Sequence, residues 1–117
     1  MKVALIQQLY QKSKEATRKM TSNKIKEASQ NGAKLVVLPE LHQHEYFCQS
    51  EDVKFFEYAN EYEADLLYWG EVAQQNSIVL IASLFEKRAP GLYHNLSLIH
   101  ISEPTRLLSI SYAVFCL

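Results

Sequence analysis

Two short apolar runs on either side of a long polar stretch constrain the fold of this chain most. Residues 3–6 read VALI and residues 35–38 read LVVL, and neither run shows the spacing of an amphipathic helix. Between them, residues 13–30 are rich in Lys, Glu, Ala and Gln and contain no Gly or Pro. Strands that are apolar on both faces are typical of parallel sheets covered by helices. The pattern predicts a β-α-β unit in an α/β protein.

Turn residues and apolar spacing set the expected elements. Gly32 predicts the end of a helix whose thin apolar stripe contains Met20, Ile25 and Ala28. We expect strands near residues 2–8, 34–38 and 77–86, helices near 14–31 and 64–76, and a hairpin over 85–95. The second helix is expected to carry Leu66, Leu67, Gly70 and Ala73 on one face. Together these elements predict three packed layers.

Composition excludes several classes of function. The 117 residues carry 12 Lys+Arg against 13 Asp+Glu, and this balance argues against a protein that binds nucleic acid through phosphate contacts. The apolar runs are far shorter than the roughly 20 residues that span a bilayer, and no signal peptide is recognisable. The two cysteines form no disulfide or metal framework. We therefore expect a cytoplasmic protein with neither a nucleic-acid partner nor a membrane partner.

Glu40 is the leading catalytic candidate. It follows Pro39 at the carboxyl end of the second apolar run, and ligands of open α/β sheets bind at that edge. A carboxylate there is expected to be partly desolvated, which favours the basicity that a general base needs. The spacing alone leaves another interpretation open, a strand-end glutamate that faces water or caps a neighbouring helix.

The segment after Glu40 contains further polar candidates. His42 and His44 could hold a metal ion, but zinc needs three or four ligands, so loop histidines at the surface or in hydrogen bonds are preferred. Cys48 could be a nucleophile, but it has no basic partner nearby, so a small buried thiol is preferred. No cofactor and no metal are expected.

Two clusters farther along the chain have simpler interpretations. An acidic run is expected to form a solvated face, and it comprises Glu57, Glu61, Glu63 and Asp65. An aromatic set is dense enough to indicate a core or a subunit contact, and it comprises Phe55, Phe56, Tyr58, Tyr62, Tyr68 and Trp69.

Residues 96–117 resemble an in-frame translation of a sequencing adapter. The resemblance lies in LSLIHISEPTR at residues 96–106 and ISYAVFCL at residues 110–117, with three residues between the two blocks. We therefore expect residues 1–95 to be the N-terminal fragment of a domain and residues 96–117 to be a tail that is not native. A real apolar strand pair is the alternative. Leu96, Leu98 and Ile99 are expected to extend the hairpin whichever origin the tail has.

Two segments carry a recognisable pattern, KVALIQ at residues 2–7 and NGAKLVVLPELH at residues 31–42. Together they resemble the opening of the nitrilase-type carbon–nitrogen hydrolase superfamily. Two further stretches are similar to those of N-carbamoylputrescine amidases, ELH at 40–42 followed by YFCQ at 46–49, and SLFEKR at 83–88 followed by GLYHN at 91–95. His44 and Glu45 depart from the pattern, since a small residue is usual there.

The resemblance implies an α-β-β-α sandwich and a catalytic set of Glu, Lys and Cys. Glu40 matches the general base, and Tyr46 matches a residue near the substrate. The resemblance places the lysine and the nucleophilic cysteine beyond Asn95, so Cys48 is not the nucleophile. It also implies a small amide or carbamoyl amine as substrate and a homo-oligomeric parent enzyme.

Two alternatives stay open at this point. The first is another amidase of the same superfamily, such as a ureidopropionase-like enzyme. The second is a small α/β binding module without catalytic activity.

Overall fold

A five-stranded sheet and two helices form the described part of the chain. The computed structural model describes residues 1–45, 60–90, 92–101 and 109–114. The strands are β1 (Lys2–Leu5), β2 (Ala33–Val37), β3 (Val79–Ala89), β4 (Leu92–Ile101) and β5 (Ser109–Val114), and they lie in sequential order across the sheet. The helices are α1 (Lys14–Gln30) and α2 (Tyr62–Gln75). The α/β class is confirmed.

The first three strands form the predicted parallel unit. β1 pairs parallel with β2, and β2 pairs parallel with β3, with Val36 opposite both Ala4 and Leu80. Within the described residues each crossover contains one helix, and because the strands progress in one direction, right-handed crossovers place both helices on the same face. The described residues therefore form two layers, and the prediction of three is wrong for them.

The inner face of α1 differs from the predicted stripe. Thr17, Thr21 and Ile25 are buried, whereas Met20 is only partly buried. The threonine hydroxyls donate to backbone carbonyl oxygens one turn earlier, Thr17 to Ser13 and Thr21 to Thr17, each at 2.8 Å. Because their polar atoms are satisfied locally, these threonines can be buried at little cost.

The inner face of α2 also differs from the prediction. Trp69 and Ala73 are buried, but Leu67 is 59% exposed and Asp65 is only 1% exposed. Apolar spacing alone therefore predicts the inner face of α2 only in part, because it includes the exposed Leu67 and omits the buried Asp65.

Caps and turns follow the sequence closely. Ser13 caps α1, and its hydroxyl accepts the Ala16 amide at 3.1 Å. Gly32 has φ +93°, the left-handed conformation expected after the last turn of the helix. None of the helices within the described ranges is long and apolar enough to cross a membrane.

The predicted hairpin is present and continues past Asn95. β3 and β4 pair antiparallel from Ala89 opposite Leu92 to Val79 opposite Ile101. Leu96 and Leu98 are each 1% exposed, as expected for an extension of the hairpin. This packing reflects apolar alternation and leaves the origin of residues 96–117 as a prediction.

Candidate active site

Glu40 lies just past the carboxyl end of β2. The chain turns sharply after it, because Leu41 adopts a positive φ of 48°. Glu40 is exposed. The predicted desolvation is therefore wrong for the described chain, because no described layer covers this end of the strand.

A cavity of about 360 Å³ opens beside Glu40. Segments that follow β1 and β2 supply its described lining, which comprises Gln8, Leu9, Tyr10, Pro39, Glu40, Leu41, His42, His44 and Glu45. Within this lining the charged side chains are carboxylates, and neither Lys nor Arg occurs. The cavity therefore pairs a candidate base with an acidic, partly apolar wall.

The neighbouring strands hold the segment after Glu40 in place. The backbone amide of Leu41 donates to the Ser83 hydroxyl in β3 at 2.9 Å. Gln8, which follows β1, donates through Nε2 to the carbonyl of His42 at 3.3 Å. The position of Glu40 is thus tied to both strands that flank β2.

The two histidines of this segment, predicted to lie at the surface or in hydrogen bonds, are buried to different extents, and His44 is only half-buried. His42 is 4% exposed, and its ring lies edge-on to Trp69 with 4.7 Å between centroids. Burial, with a smaller contribution from His44, lowers the pKa of His42 to about 3. Burial and the nearby cation of Lys14 lower the pKa of His44 to about 4. Both rings are therefore neutral at neutral pH, and no three potential ligands among the described residues are grouped to hold a metal ion.

A buried polar network that the sequence did not indicate supports the same segment. Asp65 accepts a hydrogen bond from Gln43 Nε2 at 2.6 Å, and Gln43 Oε1 accepts the indole N–H of Trp69 at 3.0 Å. Two cations of α1 pair with the same carboxylate, Arg18 and, at 2.7 Å, Lys14. The prediction that Asp65 belongs to a solvated face is wrong, because this charge is compensated inside the protein.

Other candidates lie outside the described residues. They are Tyr46, predicted to contact substrate, and Cys48, predicted to be a packed thiol. Their roles stay predictions.

Comparison with known proteins identifies related sequences. The sequence profile of the family described as Carbon-nitrogen hydrolase matches residues 2–112. A citrullinase from Francisella tularensis subsp. tularensis is 30% identical over 100 residues, which is 84% of this chain and 35% of that protein. An N-carbamoylputrescine amidase from Oryza sativa subsp. japonica is 30% identical over 77 residues, 64% of this chain and 26% of that protein.

Solved structures share the fold of this chain. A carbon-nitrogen hydrolase from Helicobacter pylori G27 has a TM-score of 0.86 and 39% identity, and the match covers 94% of this chain and 38% of that one. An amidase from Nesterenkonia sp. has a TM-score of 0.76 at 22% identity, covering 97% of this chain and 42% of that one. The present chain spans about a third of the length of the curated relatives it matches.

Proposed function

The chain belongs to the carbon–nitrogen hydrolase family, and we propose that the protein is an amidohydrolase that cleaves the carbamoyl C–N bond of N-carbamoylputrescine. The observation that carries this proposal is the place of Glu40, at the carboxyl end of a parallel strand and beside a cavity of about 360 Å³. The products are putrescine, carbon dioxide and ammonia, a reaction that belongs to polyamine biosynthesis.

Glu40 acts in this proposal as the general base. Its carboxylate takes the proton of a cysteine thiol, and the thiolate attacks the carbamoyl carbon. Ammonia leaves, a thioester-like intermediate forms, and water releases a carbamic acid that decomposes to the amine and carbon dioxide. A lysine stabilises the oxyanion. The family resemblance supplies the roles of the cysteine and the lysine.

The charge of the cavity supports a cationic substrate. The curated relatives are named for citrulline and N-carbamoylputrescine, and both compounds carry a ureido group on an alkyl chain. N-carbamoylputrescine ends in an ammonium group, whereas citrulline also carries a carboxylate. Glu40 serves the reacting end in this proposal, and the other carboxylate of the described cavity lining, Glu45, favours the ammonium of the former and repels the carboxylate of citrulline. Citrulline is therefore the second candidate, favoured by the longer sequence match.

Ammonia release by the full-length protein tests the substrate. Measured kcat/KM is expected to be highest for N-carbamoylputrescine, and lower for both citrulline and a neutral N-carbamoyl alkylamine of the same length. A preference for citrulline would overturn the choice of substrate and keep the reaction class. Absence of ammonia release from every ureido compound would overturn both.

Residues 1–117 alone are expected to release no ammonia above background. By the family resemblance this segment supplies the base but neither the lysine nor the nucleophilic cysteine. The same assay on the purified segment, beside one that ends at Asn95, checks this expectation. Turnover by either segment would show that a thiol within it acts as nucleophile.

We also propose that the parent protein is a cytoplasmic homo-oligomer without nucleic-acid or membrane partners. The balanced charge of the chain and its family resemblance support this proposal.

A further inference from the structure

The network around Asp65 links both helices to the segment that carries Glu40. Asp65 lies on α2, its cationic partners Lys14 and Arg18 lie on α1, and Gln43 lies three residues after Glu40. Burial of an unpaired carboxylate is strongly disfavoured, so the ion pairs with Lys14 and Arg18 explain why Asp65 can be only 1% exposed.

Gln43 connects the carboxylate of Asp65 to the segment that follows Glu40. Its side chain is 2% exposed, and both ends of its amide are engaged, Nε2 by Asp65 and Oε1 by Trp69. Because an amide has distinct donor and acceptor ends, a carboxylate on one side and an indole N–H on the other fix its orientation. The side chain of Gln43 therefore has one satisfied arrangement.

The backbone on either side of Gln43 is held just as closely. The Leu41 amide donates to Ser83, and the His44 amide donates to the Leu41 carbonyl at 3.3 Å. Because Glu40 directly precedes this held backbone, the segment that follows it helps to fix its position.

We propose that Asp65 is a positioning residue for Glu40, acting through Gln43 to fix the segment that carries the general base. The inference rests on the proposed function, in which Glu40 removes a proton from a thiol. Catalytic groups must be held within a fraction of an ångström of their productive geometry, so a shift of this segment slows the chemical step more than it weakens binding.

Two substitutions in the full-length protein test the inference separately. Asp65→Asn removes the charge at nearly constant volume, and Gln43→Met keeps the ion pairs of Asp65 but breaks the link to the segment. Each is expected to lower kcat roughly 10- to 100-fold with KM little changed. Glu71→Gln, on an exposed position of α2, is the matched control and should leave kcat unchanged.

The double variant distinguishes positioning from a merely structural role. If Asp65 acts through Gln43, the two substitutions together lower kcat no more than the stronger single substitution. Independent effects that multiply would overturn the inference. An Asp65→Asn protein that unfolds more readily but keeps the wild-type kcat would also overturn it.

Amide hydrogen exchange separates this inference from the proposed function, because it needs no substrate. In Asp65→Asn and Gln43→Met, exchange at Leu41 and His44 is expected to accelerate, while exchange at Val36 in β2 stays slow. Uniform acceleration, or none, would contradict local positioning. Failure of the wild-type protein to release ammonia would instead count against the proposed function alone.

Discussion

The two faces of the sheet differ sharply in how they are covered. On the helix-covered face, Val36 and Leu80 are fully buried and Leu98 is 1% exposed. On the opposite face, strand register aligns two apolar rows, Val3 with Leu35, Val79 and Ile101, and Leu5 with Val37, Ile81 and Ile99. Val3 is 46% and Leu5 75% exposed there. A run that is apolar on both faces therefore encodes two packing layers, of which the described residues supply one.

The resemblance accounts for the second face. In an α-β-β-α sandwich, the face opposite the helices packs against another sheet, about 10 Å away. The exposure of Glu40 fits the same view, because it too lies where the described residues provide no cover. We therefore expect substitutions on the helix-covered face to affect residues 1–117 much more than substitutions on the other face.

Leu80 and Ile81 give the largest expected contrast, since they are neighbours on β3 with side chains on opposite faces. In residues 1–117, Leu80→Ala is expected to lower the free energy of unfolding by about 2–5 kcal/mol, because it leaves a cavity in the core. Ile81→Ala should cost distinctly less, since Ile81 is only half-buried. Urea denaturation measures both. Equal losses would mean that the second face is packed as tightly as the first.

Lowering the pH should reduce the free energy of unfolding, because His42 is buried in its neutral form. The pKa of His42 is lowered to about 3 in the folded protein, whereas an unperturbed histidine has a pKa of about 6.5. Between about pH 3 and pH 6.5, His42 therefore binds a proton in the unfolded chain but not in the folded chain. Stability is therefore full above pH 6.5 and falls as the pH drops, by up to about 1.4 kcal/mol per pH unit for this residue.

Denaturation of the wild-type protein and His42→Asn between pH 7 and pH 4 checks this expectation. The variant should show a shallower dependence on pH, although its stability at pH 7 can differ. Parallel curves would show that His42 does not contribute the acid sensitivity.

Much of the architecture could be predicted, because it depends on local patterns. Apolar runs indicated the three parallel strands, Gly32 indicated the end of α1, and the turn before Leu92 indicated the hairpin. The place of Glu40 followed from the same reasoning, since Pro39 ends an apolar strand and carboxyl ends of parallel strands share one edge.

The inner faces of the helices could be predicted only in part, because apolar spacing does not show which polar residues are buried with their partners satisfied. Asp65 can be buried because Lys14 and Arg18, which lie on the other helix, both pair with its carboxylate. Thr17 and Thr21 are inside because their hydroxyls are satisfied within α1. A pattern of apolar residues contains neither relationship.

Val36 and Val37 compare the two faces of the sheet with the same residue type, and the expected difference in stability is smaller. Val36 is fully buried against the helices, and Val37 lies half-buried on the other face. In residues 1–117, Val36→Ala is expected to cost about 2 kcal/mol and Val37→Ala about half as much, in proportion to the apolar surface removed from water. In the full-length protein the two costs should converge if a second sheet covers Val37. A difference that persists there would contradict the sandwich.

Leu5 gives the smallest expected effect on stability. In residues 1–117, Leu5→Lys should change the free energy of unfolding by less than about 0.5 kcal/mol, since the side chain is largely exposed. It should nevertheless reduce self-association, because an exposed apolar edge strand invites pairing between chains. Sedimentation of the two proteins at equal concentration measures the difference. If self-association is unchanged, the contact between chains does not involve Leu5.

Substitution of Glu40 tests the central claim most directly. In the full-length protein, Glu40→Gln keeps the size of the side chain but removes its ability to accept a proton, and ammonia release from N-carbamoylputrescine is expected to fall about 10²–10⁴-fold. Glu27→Gln, at an exposed position on α1, is the matched control and should retain the wild-type rate. A folded Glu40→Gln protein with the wild-type rate would contradict the assignment of Glu40 as the general base.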